Sequence, residues 1–74
     1  MKTQEVMREI MKEQGVGLSK LANRIEKPIT TTSERLRQKN ISVAKLGEIM
    51  HALDYKIVVI PREVSVPKGG YEIE

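Results

Sequence analysis

LSKLANRI at residues 18–25, a break at Glu26-Lys27-Pro28, and ITTTSERLRQ at residues 29–38 decide how this chain folds. Leu18, Leu21, Ala22 and Ile25 recur at i, i+3, i+4 and i+7, which predicts an amphipathic helix over 18–25. A helix of two turns is unstable alone and needs a packing partner. Lys27-Pro28 interrupts it, because the residue before a proline is pushed out of the helical region. Across 29–38 a second helix is expected. Thr31 followed by Glu34 matches a capping box, with Thr30 as a competing cap. Its apolar content is only Ile29 and Leu36, with the methyl of Thr32. Such a helix is not chiefly a core element, and it shows Thr, Ser, Glu, Arg and Gln to its surroundings.

Outward from this pair, Val6, Met7, Ile10 and Met11 mark one face of a helix over Thr3–Gln14. Thr3 is its expected cap, and Gly15 and Gly17 are expected to end it. After the Asn40-Ile41-Ser42 loop, Ser42 is the expected N-cap of a fourth helix from Val43 to about Asp54. Val43, Leu46, Ile49, Met50 and Leu53 form its apolar stripe. Gly47 inside it is expected where another helix crosses closely. Tyr55-Lys56-Ile57-Val58-Val59-Ile60 is short and β-branched and reads as a strand stopped by Pro61. A lone strand needs a partner, and the expectation is its own copy across a two-fold axis. In that arrangement Ile57 and Val59, or Val58 and Ile60, would cover the helical core. The expected domain is 1–62, with the dimerising strand across 55–61. Residues 63–74 are expected as a weak hairpin or a disordered tail.

Composition narrows the function. At 74 residues the chain is one domain. Chains this small bury too little surface to be robust without disulfides, metal or a partner. There is no cysteine, and His51 is the single histidine. No metal site and no cofactor are expected, and oligomerisation is. Between Ser19 and Lys45 there are seven basic residues against two acidic ones, net +5, leaving −2 for the rest of a chain whose total is +3. This asymmetry favours a polyanion. The chain has no Trp or Phe, only Tyr55 and Tyr71. Single-strand binders rely on aromatic platforms, so duplex is preferred over single strand. No run approaches a membrane span, and the N-terminus has no apolar signal core, so a cytoplasmic protein without membrane contact is expected. No catalytic constellation is present, so an enzyme is not expected.

The 18–25 segment, the break and Thr30–Gln38 together resemble the phage-repressor-type (Cro-like, XRE) helix-turn-helix family. Leu21-Ala22 and Ile25 match its first motif helix and Leu36 the apolar anchor of its recognition helix. The run Asn40-Ile41-Ser42-Val43, Leu46, Ile49, Met50, Leu53 is similar to its next helix. Glu26 stands at the turn where the family usually has glycine. The resemblance covers roughly residues 3–55. It implies a mainly all-α fold, a four-to-five-helix DNA-binding bundle with the third helix in the major groove. A short form with a strand in place of the fifth helix resembles some antitoxin members.

On this reading Thr30, Thr31, Ser33, Glu34, Arg37 and Gln38 are the base-contacting candidates. Arg holds guanine bidentately, Gln suits adenine, Glu accepts from cytosine and Thr touches the thymine methyl. Ser19, Lys20, Arg24, Lys27, Arg35, Lys39, Asn40 and Lys45 are the phosphate-contacting candidates. Backbone N–H groups at the helix starts near Ser19 and Ser42 would assist them. Tyr55, Ile57, Val58, Val59 and Ile60 are the dimer-interface candidates. The expected function is a sequence-specific duplex-DNA-binding transcriptional regulator, a repressor by preference, acting as a homodimer. The alternative is an antitoxin-like or anti-regulator module whose chief partner is a protein such as a toxin. His51 is expected as a packing or surface residue rather than a ligand, and Met7, Met11 and Met50 as core residues.

Overall fold

Four apolar stripes, each too narrow to bury itself, converge on one core. In a computed structural model that describes all 74 residues, the chain forms α1 (Thr3–Gln14), α2 (Leu18–Ile25), α3 (Ile29–Arg37) and α4 (Val43–Ala52). The fold is compact and all-helical, with no strand. α2 packs on α3 and α4, and α1 on α3. The core consists of Val6, Met7, Ile10 and Met11 from α1, Val16, Leu21 from α2, Leu36 from α3, and Leu46, Ile49, Met50 and Leu53 from the last helix and its end. Gln14 Nε2 donates to the Leu53 carbonyl at 2.7 Å and ties the ends of α1 and α4 together.

Three helices stop by the same device. After α1, Gly15 N–H reaches the Lys12 carbonyl and Val16 N–H the Met11 carbonyl, at 3.2 and 2.8 Å. After α2, Glu26 and Lys27 repeat this pattern on Asn23 and Ala22. After α4, Asp54 and Tyr55 repeat it on His51 and Met50. These are Schellman closures, which require a left-handed residue at their pivot. Gly15 has φ 66°, Glu26 φ 56° and Asp54 φ 65°. A glycine at position 26 would relieve that geometry, since side chains beyond Gly disfavour it.

The caps differ from expectation at two helices. α1 starts after Lys2, whose backbone N–H donates to Glu5 Oε1 at 2.7 Å, so Thr3 is already helical. α3 starts directly after Pro28, with no side-chain cap. The Thr31–Glu34 capping box therefore does not form, because both residues lie inside the helix. Thr32 Oγ1 instead donates back to the Pro28 carbonyl at 3.0 Å, satisfying a hydroxyl that would otherwise be buried bare. Ser42 caps α4 as expected, accepting from Lys45 N–H at 3.2 Å.

Four further expectations are corrected. Val43 is 72% exposed, and Ile41 in the preceding loop packs on the core instead. Gly47 marks no close crossing, since nothing lies within 4 Å of where its Cβ would be. The strand over 55–61 is not formed: Lys56–Ile60 make no backbone hydrogen bond, and Ile57, Val58, Val59 and Ile60 are all exposed, so neither alternating set covers the core. A ladder needs a second strand, and the chain has none. Residues 63–74 form neither a hairpin nor a free end. Turns close at Pro61–Val64 and Pro67–Gly70, and the terminus returns to the start of the chain, Glu74 N–H donating to the Met1 carbonyl at 3.0 Å. Tyr71 hydroxyl donates to the Glu13 carboxylate. Its ring lies 6.3 Å from that of Tyr55, and both pack against the core. Two aromatic anchors thus hold the tail where composition alone suggested looseness.

Candidate nucleic-acid interface

The short Glu26–Pro28 turn sets α3 against α2 with one face inward. Thr32, Arg35 and Leu36, at i, i+3 and i+4, are buried. Thr30, Glu34 and Arg37 fall on the opposite stripe at i, i+4 and i+7 and are exposed. Thr31 and Ser33 flank that stripe and are half-buried, and Gln38 sits just past the helix end, also half-buried. None of these six side chains has a hydrogen-bond partner within the chain. Arg37 takes part only through its carbonyl, which accepts from Gln4 Nε2 at 3.3 Å.

The cationic candidates surround this face unevenly. Ser19 and Lys20 lie in the first turn of α2, Lys27 in the turn before α3, Lys39 and Asn40 in the loop after it, and Lys45 in the first turn of α4, all exposed. Arg24 is exposed at the end of α2 but already donates to the Ala52 carbonyl at 3.1 Å. With Ile25, Glu48, His51 and Ala52 it borders a cleft of about 170 Å3, which puts His51 at the surface. α2 and α3 begin with no side-chain cap, leaving first-turn N–H groups free to meet an anion. At α4 the Ser42 hydroxyl has already taken that role.

Arg35 is the misplaced candidate. It is 7% exposed, and its Nη1 donates to Glu48 Oε1 at 3.0 Å. It points at α4, so it cannot reach phosphate. The sequence signal was its position three before Gln38 and three after Thr32, on the inward stripe. Glu48 in turn is held below the usual carboxylate range, first by the hydrogen bond from Arg35, which outweighs the opposing effect of desolvation, and then by the positive charges of Arg35, Lys27 and Lys45. Arg35 alone of the 13 Lys and Arg residues is ion-paired.

Sequence reasoning missed Arg8. On α1 it borders, with Met11, Leu18, Ser33, Leu36 and Arg37, a groove of about 280 Å3 beside the outward face of α3. Its spacing of one residue after the buried Met7 gave no hint of this, because the crossing of α1 over α3 is a tertiary fact.

No cluster of three or more His, Cys, Asp or Glu side chains is placed to hold a metal ion, and no helix is long and apolar enough to cross a membrane. Comparison with known protein families, with curated proteins and with solved structures finds no match to this chain.

Proposed function

We propose that the chain is a sequence-specific duplex-DNA-binding transcriptional regulator, a repressor by preference, that works as a homodimer. The observation that carries this reading is the two-sidedness of α3. One face is committed to the core, and the other offers Thr30, Glu34 and Arg37 with no intramolecular partner. Uncommitted donors and acceptors along a nine-residue helix suit base edges in a major groove. Unpaired Lys20, Lys27, Lys39 and Lys45 around it suit phosphate. α2 and α3 meet across a three-residue turn, as a helix-turn-helix unit requires. The homodimer rests on Lys56–Ile60, whose unpaired backbone and exposed β-branched side chains form a free edge. That same edge favours the second reading, a protein-interaction module of antitoxin-like kind whose partner strand comes from another protein.

Selection from a randomised duplex pool at about 100 mM salt tests the first reading. The expected result is a two-fold-symmetric motif with half-sites about one helical turn apart. Weak, salt-sensitive binding with no enriched sequence would remove DNA reading and leave the protein-partner function.

A further inference from the structure

The groove between α1 and α3 is built from two kinds of surface. Its floor is apolar: Met11 and Leu36 are nearly buried and Leu18 half-buried. It is also lined by two exposed arginines, Arg8 from α1 and Arg37 from α3, and by the half-buried Ser33 of α3. Neither arginine has an ion-pair partner or an intramolecular acceptor. No carboxylate lines the groove. A bare phosphate would satisfy the guanidinium groups and leave the floor wet. A neutral hydrocarbon would dry the floor and leave the cations unused. The one small-molecule chemistry that uses both is an oxyanion joined to an apolar body, because guanidinium forks match planar oxyanions and apolar floors favour the expulsion of water. A volume of about 280 Å3 is close to the lower end of small-molecule pockets, roughly 300 Å3 and upward.

We propose that this groove binds a small amphipathic acid, a carboxylate or phosphate on a medium-length acyl or single-ring body. Ser33 and Arg37 also belong to the face assigned to DNA bases, so an occupied groove withdraws them from DNA and the ligand acts as an inducer. The regulatory half rests on the DNA-binding reading; the binding half does not.

The test is an NMR titration of the full chain, following backbone amides and arginine side chains, with sodium decanoate and with decyltrimethylammonium as a probe of the same chain length and opposite charge. Decanoate is expected to shift Arg8, Met11, Leu18, Ser33, Leu36 and Arg37 saturably, with a Kd of about 1 mM or tighter. The cation is expected to leave them in place. Arg8→Gln, a change at an exposed and unpaired position, keeps the folded spectrum and weakens decanoate roughly tenfold. Shifts of equal size with both probes, shifts confined to Ile57–Ile60, or no shifts overturn the site. Decanoate is then added to protein bound to its selected duplex, where release of DNA is expected. Groove binding that leaves DNA bound overturns the inducer role. Groove binding by a protein that selects no DNA sequence overturns the proposed function and upholds the site.

Discussion

Arg35 Nη1 donates to Glu48 Oε1 across 3.0 Å, and this ion pair joins the inward face of α3 to α4. The two ends of the pair are unequal. The Arg35 side chain is 9% exposed and that of Glu48 47%, so the carboxylate compensates a charge that water barely reaches. Arg35 Nε has no partner at all. Removing the carboxylate strands the cation, whereas removing the cation removes the problem. Glu48→Gln is therefore expected to lower the melting temperature. Arg35→Met is expected to change stability by no more than about 1 kcal/mol, and the double variant to resemble it rather than Glu48→Gln. The pH dependence has a fixed sign. Glu48 titrates below its ordinary value of 4.5 in the folded chain, so its contribution is full above that value and is lost as pH falls through the lower folded value. Thermal melts between neutral pH and about pH 3 check this: the gap between wild type and Glu48→Gln should close on acidification.

Arg37 and Lys39 stand two residues apart but on different structures, one on the outward stripe of α3 and one in the loop after it. Arg37→Ala is expected to lose about 1–3 kcal/mol of discrimination at one base position. Lys39→Ala is expected to weaken all duplexes alike and to lower the slope of log affinity against log salt by about one. Titrations of the selected duplex and a scrambled one at several salt concentrations separate the two. Equal losses on both duplexes for both variants would show that α3 does not read bases.

The helices were legible because each carries its own period. Val6, Met7, Ile10 and Met11 fix the buried face of α1, and Leu21 with Ala22 that of α2, without reference to the rest of the chain. The cap of α3 was misjudged because Pro28 precedes it with no side-chain cap, while Thr31 and Glu34 mimic a cap from inside the helix. Arg35 was misjudged because a charge in a basic segment looks like a phosphate ligand until the helix phase and Glu48 are considered together. Val43 was assigned to packing by its period and Gly47 because a glycine stands in mid-helix, yet Val43 is exposed and nothing lies within 4 Å of a Cβ at Gly47. The tail failed as a prediction for the opposite reason: its anchoring depends on Tyr71 meeting Glu13 and Tyr55, contacts that span 58 and 16 residues and leave no local pattern.

Val58 and Ile60 are exposed on an extended segment with an unpaired backbone. If a second copy covers that edge, Val58→Lys and Ile60→Lys should dissociate the dimer in sedimentation experiments and reduce affinity for a two-half-site duplex, while the helical far-ultraviolet spectrum stays unchanged. A wild-type chain that sediments as a monomer at all concentrations would remove the homodimer from the proposed function.

Glu26 and Asp54 occupy pivots that Gly15 fills in the first of the three closures. A left-handed conformation costs most residues about 1–2 kcal/mol, and Asp less because its side chain tolerates it. Glycine carries its own entropy penalty of roughly 0.5–1 kcal/mol. Glu26→Gly is therefore expected to stabilise by up to about 1 kcal/mol, and Asp54→Gly by less. Gly47 runs the other way. It sits in mid-helix with open space at its Cβ, so Gly47→Ala should stabilise by about 1 kcal/mol. Denaturant melts of the three variants check the order. A loss on Gly47→Ala would mean that α4 meets a partner at that point.

Tyr71 is the group through which alkali should loosen the tail. Its hydroxyl donates to the Glu13 carboxylate, and this hydrogen bond, with desolvation and the negative charge of Glu13 and Glu9, pushes its pKa up to about 12. An unfolded tyrosine loses its proton near 10. The folded chain holds the proton more tightly, so the tail contact is complete below about pH 10 and is lost as pH rises from there towards 12. Absorbance at 295 nm should show one of the two tyrosines titrating late, and Tyr71→Phe should abolish that late step. Glu13→Gln removes the charge but keeps an acceptor, so it should bring the step back towards pH 10 without freeing the tail at neutral pH. A late step that survives Tyr71→Phe would assign the tight proton to Tyr55 and leave the Tyr71–Glu13 contact without a role in holding the terminus.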